Sequence, residues 1–390
     1  MIGATLPVAA ALALLPLALV LQSRAMAPLA LLGLAGTVLV AWREGWRPSQ
    51  LPRPAWPLLA LLAWGAASAL WSPEPGRALD TSLRLAVMTG LGAMAGAALL
   101  ASPSRRIGFW AAGGLAVGLA IAALDDATGN AVRAAVRGLP EAPAQLAFGL
   151  KNAMAGMALL APLAFANPSV PLPLRALLAA GMVAVSFLLP GEAAKLASLA
   201  AVAAVLLAAF VPRVTGLLIG LAGAGFVLAA PFLARFVLGS GIEVGELPFS
   251  AAHRLLIWDF VTARVMDSPL IGWGMEASRA IPGGTGAPDA GMLARFGVSG
   301  PYWANAQLLP LHPHNAALQL WLELGAVGGL LGAWLLVELG RASRDPAAAG
   351  CLAAGLVVAM LSYGVWQYWW VAGLLLAAAT CAAVPDRGVR

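Results

Sequence analysis

The residues of this chain best suited to chemistry are three histidines, two lysines and the arginines of one polar stretch. All three histidines fall between His253 and His314. Two of them sit in Leu311-His312-Pro313-His314-Asn315, directly ahead of a long apolar run. Histidine titrates nearest neutrality and serves as a general base or as a metal ligand. A zinc site needs at least one ligand beyond His312 and His314, and neither the spacing of His253 nor a carboxylate cluster supplies it. Proton transfer by His314 and a plain helix-start role, with Asn315 and the neighbouring prolines as caps, both stay open. The two lysines, Lys151 and Lys195, lie near the ends of apolar runs, where a cation either snorkels to headgroups or joins a site. Beyond His314, the residues Asn315, Gln319 and Glu323 recur every four positions and share one helix face. Glu323 then lies roughly 13 Å into that helix, at ~1.5 Å per residue. An ionisable group at that depth faces the bundle interior with a partner, more a lock between helices than a catalyst.

A membrane scaffold must position these side chains. Hydrophobic residues form 61% of the 390-residue chain and charged residues 10%, with a mean hydropathy of +0.87. Such a composition excludes a soluble enzyme. Continuous apolar runs exclude a β-barrel. Crossing the hydrocarbon core takes about 20 apolar residues, and about twelve runs qualify. They start near Ala4, Met26, Ala55, Leu83, Ile107, Phe148, Leu174, Lys195, Val214, His314, Ala347 and Gln367. The expected fold is an all-α integral membrane protein, a single polytopic domain over residues 1–390. One large loop, 239–313, separates the ninth and tenth helices. The run from Ala4 to Leu21 lacks a basic leader and is followed at once by a second run, so it reads as an uncleaved first helix. Cys351 and Cys381 lie in apolar runs, which speaks against a disulfide or thiolate site. The excess of six positive charges is dispersed among short loops, a membrane-topology pattern and not a nucleic-acid footprint.

With the N-terminus inside, the inner loops hold Arg43, Arg47, Arg53, Arg105, Arg106, Arg175, Arg213, Arg341 and Arg344, and the C-terminal tail adds Arg387 and Arg390. The outer loops carry fewer, among them Arg77, Arg133 and Arg137, which satisfies the positive-inside rule. Both lysines, His314 and the arginines of the long loop then face one compartment. In that loop, Leu255, Trp258, Val261 and Val265 recur at helical spacing across 251–266, with Arg254 and Asp259 off the stripe. This predicts an amphipathic helix lying along the outer surface, followed by the Pro/Gly turn 269–274 and a mobile stretch from Ile281 to Ala290. A purely structural cap is the plain alternative for the whole loop.

His314-Asn315, nine intervening residues and then Gly325-Ala326-Val327-Gly328-Gly329 resemble the signature of bacterial O-antigen ligases. Arg254, Trp258 and Pro269-Leu270-Ile271-Gly272-Trp273-Gly274 are similar to the large periplasmic loop of the same superfamily, which also holds O-antigen and exopolysaccharide polymerases and protein O-oligosaccharyltransferases. Lys151-Asn152-Ala153-Met154-Ala155-Gly156 is similar to its Asn-Arg-Asn-type stretch. The resemblance covers about residues 145–335. It implies a GT-C-like glycosyltransferase of the bacterial inner membrane that works on the periplasmic face without metal or cofactor. Undecaprenyl-pyrophosphate-linked glycan is the implied donor. The implied acceptor is lipid A–core for a ligase and another lipid-linked glycan for a polymerase. Family functional residues map onto Arg254 and His314. The family's outer Ser-Arg pattern falls on Gly191-Glu192-Ala193-Ala194-Lys195, where lysine replaces arginine and the serine is missing. Lysine keeps the charge but loses the fork that suits phosphate.

The resemblance thus implies that Arg254, Lys195 and Lys151 hold the pyrophosphate, while His314 deprotonates or positions the acceptor. Asn315, Asn152 and Glu323 support them. Direct attack by the acceptor would invert the anomeric centre. A twelve-span secondary transporter is the rival from another class, but no internal repeat is visible and the cations gather at one face. A non-catalytic scaffold would not need cations around a histidine.

Overall fold

A computed structural model of the chain describes residues 3–48, 50–104 and 106–383. Arg105, Arg387 and Arg390, counted above among the inner charges, lie outside the described residues. The described chain is helical, without strands. The helices of the first half are α1 (Leu6–Leu21), α2 (Met26–Arg43), α3 (Ala55–Ala67), α4 (Pro75–Ala101), α5 (Ile107–Ala127), α6 (Ala131–Val136), α7 (Ala147–Leu160) and α8 (Pro162–Phe165). Those of the second half are α9 (Leu172–Leu188), α10 (Glu192–Phe210), α11 (Pro212–Gly239), α12 (Phe249–Asp267), α13 (Ala290–Arg295), α14 (Ala316–Ala342), α15 (Pro346–Leu361) and α16 (Tyr368–Cys381).

Seven helical segments among the described residues are long and apolar enough to cross a membrane. Five shorter apolar helices of 14 to 17 residues, counting α3 with the short turn that extends it to Leu70, lie at the positions of the remaining expected runs. The largest departure from the expected starts is α4, which begins at Pro75 and not near Leu83. Its first turns are too polar to register as apolar, yet they stay helical. Arg84 Nε pairs with Asp80 at 2.7 Å, one turn apart. Arg133, read as a loop charge, is instead fully buried. Its Nε lies 2.6 Å from the equally buried Asp125 carboxylate, tying the end of α5 to α6.

Two large apolar cores organise the bundle. One joins α1, α2, α4, α5, α7, α8, α9, α10, α15 and α16. The other joins α3, the start of α4, α11, α12 and α14 with loop residues Met275, Ile281 and Leu309. The α15–α16 connection lies on the seam, because Tyr363 packs on the first core and Trp366 is buried in the second.

The expected loop helix forms as α12, but its buried face is Ala252, Leu256, Ile257, Phe260, Val261 and Val265, with Leu255 and Trp258 only part-buried. The stripe is broader and rotated because α12 packs on two sides. Leu256 meets Leu238, Phe296 and Trp303 in a small satellite core, while Ile257 and Val261 join the core of α14.

The decisive departure from regular structure lies inside α14. Gly325 has φ 64° and ψ −159°, so the helix is broken there. The Pro269–Gly274 turn fills the break. Trp273 N–H donates to the Leu322 carbonyl (2.9 Å) and Gly274 N–H to the Glu323 carbonyl (2.7 Å), while Ala326 N–H donates to the Pro269 carbonyl (2.8 Å). Trp64 Nε1 takes the Leu324 carbonyl at 3.1 Å. A broken helix is tolerated in a bilayer only where protein satisfies the freed backbone groups, and this turn does so. The two glycine-bearing motifs, far apart in sequence, are therefore the two halves of one clasp.

Candidate functional site

The histidine turn is built by its own backbone. Asn315 caps α14, its Oδ1 accepting Leu318 N–H at 3.0 Å. The helix proper therefore starts at Ala316, and His314 stands ahead of it in a left-handed conformation (φ 55°), not within it. His314 N–H donates to His312 Nδ1 at 3.1 Å, and the two rings lie 4.3 Å apart. The Pro313 carbonyl accepts Trp258 Nε1–H at 2.8 Å. Trp258 is one helical turn beyond Arg254 on α12, so this bond registers the arginine's helix against the histidine turn.

His314 Nδ1 lies 2.7 Å from the Ser362 carbonyl. A carbonyl only accepts, so in the neutral ring the proton sits on Nδ1 and Nε2 carries the free lone pair. Burial holds His314 below the usual histidine pKa against the raising effect of that carbonyl, and Arg254 and His253 push it the same way. His312 is held lower still, at about 3, by burial and by the charges of His314, Arg279 and Arg254. Both rings are thus neutral near pH 7. His312 Nε2 faces the Gln367 amide at 3.2 Å.

Arg254 is part-buried and makes no side-chain hydrogen bond or ion pair among the described residues. Burial lowers its pKa, and Tyr363 opposes that shift. Tyr363 donates its hydroxyl to Asn152 Oδ1 at 2.7 Å, and burial raises its own pKa. Residues 362 and 363 therefore bridge the site: the Ser362 carbonyl holds His314, and the Tyr363 hydroxyl reaches α7.

Lys151, beside Asn152, places its ammonium 4.7 Å from the Phe148 ring centroid and has no carboxylate partner among the described residues. Its side chain packs against Gly191, in the turn that opens α10. Lys195, in the first turn of α10, pairs with Glu192 at 2.7 Å. The lysines thus flank one turn, and one of them is engaged by an acid.

Glu323 lies apart from this group, at the α14 break, with no exposed surface. Its carboxylate accepts hydrogen bonds from Glu276 N–H (2.7 Å), Gln319 Nε2 (3.1 Å), Trp366 Nε1 (2.5 Å) and the Ser278 hydroxyl. Gln319 Oε1 in turn accepts Val365 N–H at 2.9 Å. This network locks the long loop, α14 and the α15–α16 connection together.

Sequence reasoning weighed His312 only as a metal ligand and missed Ser362, Tyr363 and Gln367. The interruption Ser362-Tyr363-Gly364 in an apolar hairpin was the available signal, since polar groups in such runs mark sites. His253 turns away from the base: Nε2 lies 2.8 Å from the Gln307 carbonyl and Nδ1 3.1 Å from the Tyr302 hydroxyl. Among the described residues no three His, Cys, Asp or Glu side chains gather as metal ligands.

No protein-family model matches the chain, and no solved structure matches it. Curated proteins do. A protein of Rickettsia conorii is 35% identical over 129 residues, and one of Rickettsia bellii is 38% identical over 130. One of Rickettsia prowazekii is 36% identical over 129 residues. Each of the three bears the name "Putative polysaccharide ligase". The matched segment is 31–32% of this chain and spans 29% of the length of each relative. Over about a third of its length the chain is therefore similar to bacterial proteins named as polysaccharide ligases, the class that its His-Asn and loop motifs resemble.

Proposed function

We propose that the chain is an O-antigen ligase-like, inverting glycosyltransferase. It moves a glycan from undecaprenyl pyrophosphate to lipid A–core at the periplasmic face of the inner membrane. Twelve spans would place residues 239–313, Arg254 and His314 on that face. The observation that carries the reading is a neutral histidine whose Nε2 makes no hydrogen bond among the described residues, together with a part-buried arginine that has no anionic partner among them.

Transfer breaks the bond between the anomeric carbon and the pyrophosphate oxygen, and the electron pair stays on the pyrophosphate. Arg254 and Lys151 supply fixed cations for that charge, with Lys195 available once Glu192 releases it. In a partly dehydrated site such cations favour the transition state over the ground state. The acceptor hydroxyl attacks from the opposite side and gives its proton to His314 Nε2. Because the ring is buried and held by Ser362, it is already unprotonated and aimed when the acceptor arrives. Tyr363 and Asn152 keep the α7 side in place.

The test is a reconstituted donor–acceptor assay. His314→Ala and Arg254→Ala should abolish transfer while the protein stays folded and inserted, and near-normal transfer by both would sink the proposal. Deletion in the native cell should leave lipid-linked polymer intact and remove the lipid A–linked form. Accumulation of single repeat units would instead make the chain a polymerase.

A further inference from the structure

A pocket lies beside the proposed reaction site. It is an open depression of about 340 Å³ lined by His253, Tyr302, Asn305, Ala306, Gln307 and Pro310. One wall is a fixed aromatic assembly. Tyr302 stands edge-on to Phe249 (centroids 4.0 Å apart) and to Trp303 (5.3 Å), and Trp303 is buried. The tyrosine hydroxyl is oriented too. His253 Nε2 must donate to the Gln307 carbonyl, so its Nδ1 accepts from Tyr302, whose oxygen keeps lone pairs for a ligand. Half-exposed Tyr302 thus offers a ring face held by these contacts.

The remaining lining is amide and apolar. The side-chain amides of Asn305 and Gln307 make no hydrogen bond among the described residues, and no Lys, Arg, Asp or Glu lines the pocket. Aromatic surface beside free amides, without charge, matches the C–H faces and hydroxyls of a neutral pyranose. It does not match a phosphate or a carboxylate. The pocket also adjoins the site, because His253 directly precedes Arg254 on α12.

Resting on the glycosyl-transfer reading, we propose that the Tyr302–Asn305–Gln307 pocket is a saccharide subsite that takes a neutral pyranose of the glycan substrate beyond the reacting sugar. The test uses the full-length protein in lipid nanodiscs. The probes are neutral oligosaccharides of hexose, N-acetylhexosamine and deoxyhexose, with their uronic-acid counterparts. Wild type and His314→Ala should bind one or more neutral probes with equal affinity, and should bind the uronic-acid forms more weakly. Tyr302→Ala should weaken binding at least about tenfold, and Asn305→Ala about threefold, both at exposed positions whose truncation leaves the fold intact. Two outcomes overturn the subsite: no probe bound by wild type, or unchanged affinity in both variants. Unchanged affinity in a protein whose glycan transfer still needs His314 removes the subsite alone. Tyr302-dependent binding in a protein that transfers no glycan removes the transfer reading and leaves the subsite standing.

Discussion

Replacing Gly272 with alanine should be among the most damaging single changes in this chain. The residue has φ +68°, and an alanine Cβ there would lie 2.4 Å from the Glu323 carbonyl carbon and 2.5 Å from Leu324 N. Left-handed backbone alone costs an alanine about 1–2 kcal/mol. The contacting atoms are backbone, so neither side can swing clear and the turn must lift off α14. Lifting breaks the bonds from Trp273 N–H to Leu322 and from Gly274 N–H to Glu323. Each is worth about 1 kcal/mol when made, and more when it leaves a buried group unpaired. The sum is about 4–6 kcal/mol.

Gly241 supplies the control, because it has φ +80° with open space where a Cβ would go. Gly241→Ala should cost only the strain, about 1–2 kcal/mol. Unfolding of both variants in lipid, alongside hydrogen exchange at the Gly274 and Ala326 amides, separates strain from collision. Gly272→Ala should fall below Gly241→Ala by about 3 kcal/mol and lose protection at both amides. Equal stability of the two variants would refute the clasp.

Three further outcomes follow from the site. His312 is held at a pKa of about 3, against about 6.5 unfolded, so its contribution to stability is complete above pH 6.5 and is lost as pH falls toward 3. The loss is on the order of 4–5 kcal/mol across that window. His312→Asn, which keeps an acceptor near Nδ1 but does not titrate, should flatten the slope of stability against pH, and an unchanged slope would count against the assignment. Glu323→Gln puts an amide N–H₂ among the donors of Glu276, Ser278 and Trp366, and should destabilise by about 2–4 kcal/mol in thermal unfolding. A neutral effect would mean that the network is not a lock. Glu192→Gln frees Lys195 from its 2.7 Å pair and should lower the donor KM about two- to fivefold at low salt, with little effect at high salt. A raised KM would show that the pair positions the lysine instead of occupying it.

Much of the scaffold was legible because a bilayer leaves little choice: apolar runs of the right length become helices, and their starts at Met26, Ala55 and Ile107 coincide with the helices found. The start of α4 was not legible, since hydropathy is blind to a polar helical turn held by ion pairs such as Arg84–Asp80. The candidate site was half legible. His314 and Lys151 belong to residue types that are rare in this chain, while Arg254 and Asn152 were reached through the resemblance. Ser362 acts through its carbonyl, which every residue has, so no reading of side chains could find it. Gly272 and Gly325 were visible as motif glycines. Their meaning required knowing that residues some fifty positions apart fill each other's missing Cβ space.

The electrostatics of the cluster favour an anionic visitor on grounds independent of any resemblance. A part-buried guanidinium that makes no hydrogen bond or ion pair among the described residues costs stability, because it has given up part of its water without a replacement. Nothing in the packing of α12 demands a charge at position 254, since the core face of that helix is met by Leu256, Ile257, Phe260 and Val261. The neighbouring groups do not relieve it either. His312 and His314 are neutral, His314 giving its Nδ1–H to the Ser362 carbonyl and His312 accepting His314 N–H, and the Tyr363 hydroxyl is already given to Asn152. Lys151 adds a second cation with no acidic partner among the described residues, and Lys195 is held by an i,i+3 pair whose glutamate is 77% exposed. A pair that exposed is worth about 0–1 kcal/mol and yields readily to a doubly charged competitor. Under the proposed function, the pyrophosphate of the donor would supply the anionic partner that this arrangement lacks among the described residues. That is the expected signature of residues kept for a ligand and not for the fold.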